Sequence, residues 1–68
     1  MSLYIVGKGA PTVMTKRVGN GRRYASFCLD HPMVFEKSAL IETTDTEFHF
    51  SGRDGKDWYF AASDVRKV

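Results

Sequence analysis

Two pairs of aromatic residues in strict alternation, Phe48-x-Phe50 and Trp58-x-Phe60, stand on either side of the turn signal Asp54-Gly55. Alternate residues of a β-strand share a face, so each pair marks a strand with one apolar side. The connection between them decides whether the two apolar sides agree. A two-residue Asp54-Gly55 loop puts Phe48 and Phe50 on one face of the hairpin and Trp58 and Phe60 on the other. A three-residue loop, Arg53-Asp54-Gly55 with Gly55 left-handed, pairs Phe50 with Trp58 and Phe48 with Phe60. Burying four rings together, at roughly 25 cal/mol per Å² of apolar area, outweighs a turn preference of about 1 kcal/mol. The three-residue loop is therefore expected, with Glu47, His49, Ser51, Asp57 and Tyr59 on the outward face.

The rest of the chain has the same texture. Short apolar-alternating runs separated by turn residues predict strands at Leu3–Val6, Thr12–Val18, Arg23–Leu29, Met33–Glu36 and Ala39–Thr43. Met33, Val34, Phe35, Ala39, Leu40 and Ile41 scatter around a helical wheel, so the central segment reads as two strand pieces bent at Lys37-Ser38, with room for one helical turn. Ala61-Ala62-Ser63-Asp64 reads as a tight turn before a short edge strand, Val65–Val68. The expected fold is all-β: residues 1–68 as a single small antiparallel barrel, Src-homology-3-like or OB-like, of five or six short strands. A two-layer sheet with one short helix is the second architecture. With 68 residues, the chain has no room for a two-domain active site or a large cofactor fold. At 43% hydrophobic and 26% charged residues, its composition is that of a globular domain rather than a disordered one.

Asn20-Gly21 is the second turn signal. A two-residue loop there sets Val18 opposite Arg23, Lys16 opposite Ala25, Met14 opposite Phe27 and Thr12 opposite Leu29. Met14, Ala25, Phe27 and Leu29 then share the core face, and Thr15, Arg17, Tyr24 and Ser26 the other. A three-residue loop would oppose Arg17 to Arg23, an unfavourable like-charge pair, so the two-residue loop is expected.

Charge is segregated along the chain. Lys8, Lys16, Arg17, Arg22 and Arg23 precede the first acid, and from Asp30 to Asp64 eight acids face only Lys37, Arg53 and Lys56. Arg66 and Lys67 then bring the net charge to +2. Such asymmetry either neutralises itself when the segments pack, or is turned toward a partner.

No catalytic constellation accompanies it. Gly7-Lys8-Gly9 lacks the spacing of a phosphate loop and no helix follows it. Cys28, His31 and His49 are the only soft metal-ligand types, fewer than a structural zinc site takes, so no metal and no cofactor is expected. A Cys28 nucleophile with a histidine base has no oxyanion site nearby, and Asp54 and Asp57 read as solvated turn residues. Cys28 reads as a small strand residue and both histidines as exposed or edge residues. No apolar run approaches a membrane span and no secretory signal is visible, which with a single cysteine points to a cytoplasmic protein.

The chain then acts through its surface. Lys16, Arg17, Arg22, Arg23 and Tyr24 crowd one hairpin tip and form the candidate partner-binding site. The first reading is a non-enzymatic regulator or inhibitor docking on a larger protein assembly through that hairpin. A nucleic-acid-binding module using the same residues is the alternative. A homodimer built on an open strand edge is the third. Tyr4, Tyr24 and Tyr59 are either interface anchors or covers for a sheet edge.

Overall fold

A computed structural model describes residues 2–68 as eight strands: β1 (Leu3–Val6), β2 (Pro11–Val18), β3 (Gly21–Cys28), β4 (Met33–Glu36), β5 (Leu40–Thr43), β6 (Glu47–Ser51), β7 (Lys56–Ala61) and β8 (Val65–Lys67). Single turns of 3-10 helix, Lys37–Ala39 and Ala62–Asp64, precede β5 and β8. All pairings are antiparallel, in a five-stranded sheet of order β3-β2-β7-β6-β5 and a three-stranded sheet of order β4-β1-β8.

The aromatic hairpin forms in the expected register. Phe48 pairs with Phe60, His49 with Tyr59 and Phe50 with Trp58. Arg53 O accepts from the Lys56 amide, closing a tight turn in which both Asp54 (φ 59°) and Gly55 (φ 74°) are left-handed. The Gly52 amide also donates to Lys56 O, so Gly52 and Arg53 together oppose Lys56. This bulge supplies the one-residue offset that turns all four rings to one side.

Those rings meet the inner face of the small sheet. Phe50 is 0% exposed and Phe60 1%, packed with Tyr4, Val6, Leu29 and Phe35. The Phe35 and Phe50 rings lie face to face, 4.4 Å apart and 7° from parallel, across the sheet interface. Tyr4 tilts against both Phe48 and Phe50 at 5.6 and 5.5 Å. Buried Thr12 escapes an unsatisfied hydroxyl by donating from Oγ1 to Tyr59 O at 2.8 Å.

The expected barrel does not form. The structure is all-β and layered, but neither sheet closes on itself. Closure needs the outermost strands of a sheet to hydrogen-bond to each other, and β3 does not pair with β5, nor β4 with β8. The chain changes sheet only where strand geometry is broken: at Gly7–Ala10, at 29–32, and at the two 3-10 turns. The strand total therefore exceeds the five or six expected, and two helical turns stand where at most one was expected.

The first hairpin also departs from its expected register. Its loop is Gly19-Asn20, so Val18 pairs with Gly21, Lys16 with Arg23, Met14 with Ala25 and Thr12 with Phe27. Gly19 takes φ 57° while Asn20 stays at negative φ, the pattern of a turn with glycine at its first central position. The shift is by two residues, so the expected faces survive. It also opposes Arg17 to Arg22, the kind of pair the sequence argued against. What outweighs this is Leu29. The shifted register sets it against Ala10, with the Leu29 amide on Ala10 O at 2.9 Å and the Gly9 amide on Leu29 O at 2.8 Å, and buries it to 4% exposure. A buried leucine is worth about 1.5–3 kcal/mol, whereas an exposed like-charge pair costs less than about 1 kcal/mol. Phe27 (41% exposed) and Ala25, expected in the core, lie beyond it, because the small sheet does not reach as far as β3.

Two outcomes check this account by chemical denaturation. Phe50→Ala should cost about 3–5 kcal/mol, while Val34→Ala on the exposed face of β4 stays within about 0.5 kcal/mol. Gly19→Ala should cost about 1–2 kcal/mol, because alanine resists its positive φ, whereas Gly21→Ala should be near neutral, its new Cβ meeting only Val18 O at 3.8 Å.

Candidate functional site

The β2–β3 hairpin is the longest in the fold, and β3 lies at the edge of its sheet with all eight of its residues exposed. Because residues directly opposite each other across the ladder share a face, the register divides the hairpin cations in two. Arg17 and Arg22 face each other on the side that also carries Thr15 and Tyr24. Lys16 and Arg23 face each other on the opposite side, where β2 also pairs Lys16 with Lys56 of β7. Arg23, Lys16 and Lys56 therefore form a row across three strands, spanning about 10 Å at the usual strand spacing. All five sequence-selected residues, Lys16, Arg17, Arg22, Arg23 and Tyr24, are exposed and gathered on this hairpin, Tyr24 to 77%. The row's third member, Lys56, was not among them. Its signal lies in the pairing of β2 with β7, strands separated by most of the chain.

Neutralisation of these charges is sparse. Arg22 Nη1 donates to Asp57 Oδ2 and to Thr15 Oγ1, each at 3.3 Å. Among the described residues, Lys16, Arg17, Arg23 and Lys56 have no carboxylate within ion-pair distance. The acidic segment thus answers one hairpin cation and leaves the others to solvent. Arg17 and Arg22 also flank a shallow hollow of about 420 Å³ over Gly19, Asn20 and Gly21.

Asp57 belongs to a second small group. The His49 ring stacks on Tyr59 with centroids 4.1 Å apart. Its Nε2 lies 3.6 Å from Asp57 Oδ2, and this nitrogen is buried with no hydrogen-bond partner. The expectation that both histidines are exposed or edge residues therefore holds for His31 and fails for His49, whose side chain is 19% exposed and whose strand lies inside the sheet. The cause is local: Tyr59 covers one ring face, a neighbour the register already gave.

On the other side of the five-stranded sheet, the row of cations borders apolar surface. Trp58 and Met14 are half-buried, and Phe27 meets the Trp58 indole edge-on at 6.1 Å. Trp58 also floors an open cleft of about 530 Å³ against Met33, Phe35 and Ala39, with Lys56 and Arg53 on its rim. Sequence reasoning missed this cleft, because it lies between the aromatic hairpin and the small sheet and exists only once the two pack. The indole rests on Gly52, where an added Cβ would come within 2.6 Å of Trp58 Nε1.

Cys28 is exposed at the end of β3, and the Asp30 carboxylate holds the His31 ring. Among the described residues, no group of three or more His, Cys, Asp or Glu side chains is placed to hold a metal ion. No helix is long and apolar enough to cross a membrane. Comparison with protein-family models, curated proteins and solved structures finds no match for the chain.

Gly52→Ala reports on the cleft. The rigid indole must leave its seat, so the change should destabilise the fold by about 1–3 kcal/mol and shift the emission of the single tryptophan. Unchanged emission and stability would mean that Trp58 does not lie against Gly52.

Proposed function

We propose that this chain is a non-enzymatic binding protein, a regulator or inhibitor that docks on a larger protein assembly through its basic hairpin. The observation that supports this is the combination on one hairpin of four clustered cations, one of them paired to a carboxylate, with an outer strand exposed along its whole length. Unpaired charges of one sign steer a partner of the opposite sign and raise its rate of encounter. Tyr24 and Phe27, both exposed beside the cations, supply the apolar anchors that charge alone lacks.

A nucleic acid is the second reading, favoured by the Arg23–Lys16–Lys56 row beside Trp58 and Phe27. Cations interleaved with aromatic rings suit a single strand, with bases stacking while phosphates meet the lysines. Against it stands the division of the charges. Either face offers two or three cations, fewer than the six to ten phosphate contacts typical of strong nonspecific binding, and the chain pI of 8.9 is modest for such a domain. A protein partner can use both faces and the strand between them.

The test compares wild type with Arg17→Glu, Arg22→Glu and Arg23→Glu combined. Wild type should retain a saturable protein complex, and the triple variant should bind that partner at least tenfold more weakly, a loss of about 1.4 kcal/mol or more. Labelled DNA and RNA oligonucleotides should show no binding tighter than about 100 μM at 0.15 M salt. Micromolar oligonucleotide binding that falls steeply with salt and vanishes in the triple variant would replace the protein reading with the second one.

A further inference from the structure

We infer that the free edge of β3 accepts an extended acidic segment of the partner as a sixth strand of the five-stranded sheet. The inference rests on the docking reading above and adds how the hairpin engages what it binds.

The fold has four strand edges, and three are blunted. β4 and β8, which bound the small sheet, have four and three residues. β5, at the far side of the large sheet, has four residues and a register break between Leu40 and Glu42. Short edges and bulges are the usual defences against unwanted strand pairing. β3 has neither: its eight residues run without proline or irregularity beside β2.

The ladder shows which of its groups are free. The Leu29 amide donates to Ala10 O, which makes Ala10 and Leu29 a hydrogen-bonded pair. Bonded and non-bonded pairs alternate along an antiparallel ladder. Phe27, Ala25, Arg23 and Gly21 therefore point their N–H and C=O groups at β2. Cys28, Ser26, Tyr24 and Arg22 point theirs away from the sheet, a row of four donors and four acceptors at the spacing an added strand requires.

Charge selects the occupant. β3 carries Arg22 and Arg23 directly after its first residue, backed by Arg17 and Lys16 across the ladder, and carries no acid. A second copy of the chain brings more cations to this edge and no carboxylate on its own β3. An acidic strand brings carboxylates to both faces at once, because consecutive residues on an added strand point to opposite sides. One acid then meets the Arg17–Arg22 side and the next the Lys16–Arg23 side. Farther along, Phe27 and Ala25 on one face call for an apolar residue, and Ser26 and Tyr24 on the other for a small polar one. For an antiparallel strand these demands read Thr-Val-Thr-Val-Thr-Glu-Glu, the acids opposite Arg23 and Arg22.

That peptide, acetylated and amidated, is the probe, added to the ¹⁵N-labelled chain and followed by amide hydrogen exchange. The expected result is alternating protection. The amides of Tyr24 and Ser26 slow at least tenfold on peptide addition, while those of Arg23 and Ala25, already bonded to β2, change little. A peptide ending in Lys-Lys should bind at least tenfold more weakly. Ser26→Pro removes an outward donor and leaves every charge in place, and it should abolish the protection. Should that variant fail to fold, N-methylation of Ser26 in a chemically synthesised chain removes the same hydrogen.

Binding that is lost in the charge-reversed triple variant but unaffected at Ser26, without alternating protection, would overturn the strand mode and leave the docking reading standing. Failure of the acidic peptide to bind at all would also overturn the strand mode. So would alternating protection that is present without peptide and grows with protein concentration, because the edge would then belong to a second copy. If the triple variant also kept its protein partner, the docking reading itself would fall.

Discussion

The stack of rings centred on Phe50 is the contact on which the rest depends. Phe35 from the small sheet lies flat against it, Tyr4 tilts onto it, and Phe60 completes the enclosure from the neighbouring strand. A chain of this size buries only about 60% of its unfolded surface, so a large share of its apolar burial is concentrated in one place. The small sheet has eleven residues in three strands, and it is wide enough to cover the aromatic hairpin but not the whole of the larger sheet. β3 is left outside as a direct consequence. Exposure of the candidate interface and burial of the core thus have one cause, the mismatch in width between the two layers.

How far the sequence could be read follows from the range of the forces involved. The aromatic hairpin was legible because four rings and one turn, all within thirteen residues, carry a large energy difference between two registers. The first hairpin was legible only in its faces. Its turn was set by Asn20-Gly21 from local preference, and the structure places it one residue earlier at Gly19-Asn20. Burial of Leu29 against Ala10, and the packing of that residue with Phe60 and Tyr4, involve parts of the chain that local turn rules do not weigh. Barrel closure is not legible for a related reason. Strand pattern reports which faces are apolar, but whether edges meet depends on how strands from distant segments are shared between sheets. Among candidate site residues, the tip cations follow from adjacency in sequence, whereas Lys56 joins them only through the pairing of β2 with β7.

The same balance of forces lets like charges face each other here. Arg17 opposite Arg22, and Lys16 between Arg23 and Lys56, would be a poor choice in an interior. At exposed positions water screens them, and over more than about 8 Å salt does so as well. Asp57 relieves Arg22 further from a half-buried position beneath it. The remaining repulsion is small beside the burial that sets the register, so the hairpin tolerates a charge pattern that its own fold does not require.

A feature tolerated rather than required by the fold is where function is best sought. Sequences that specify a single structure satisfy local preference, packing and edge protection together, and departures from that agreement concentrate at sites of use. Two departures coincide on this hairpin, a long edge without bulge or proline and a cluster of cations of which, among the described residues, only Arg22 has a carboxylate partner. Each has a plain structural account if taken singly: cations on an edge deter aggregation, and an edge strand must end somewhere. Taken together they do more than deter. On the proposed docking reading, a positive edge repels copies of itself and accepts a strand of opposite charge, so the protection against self-pairing would also select a partner. Specificity of this kind needs no pocket and no catalytic group.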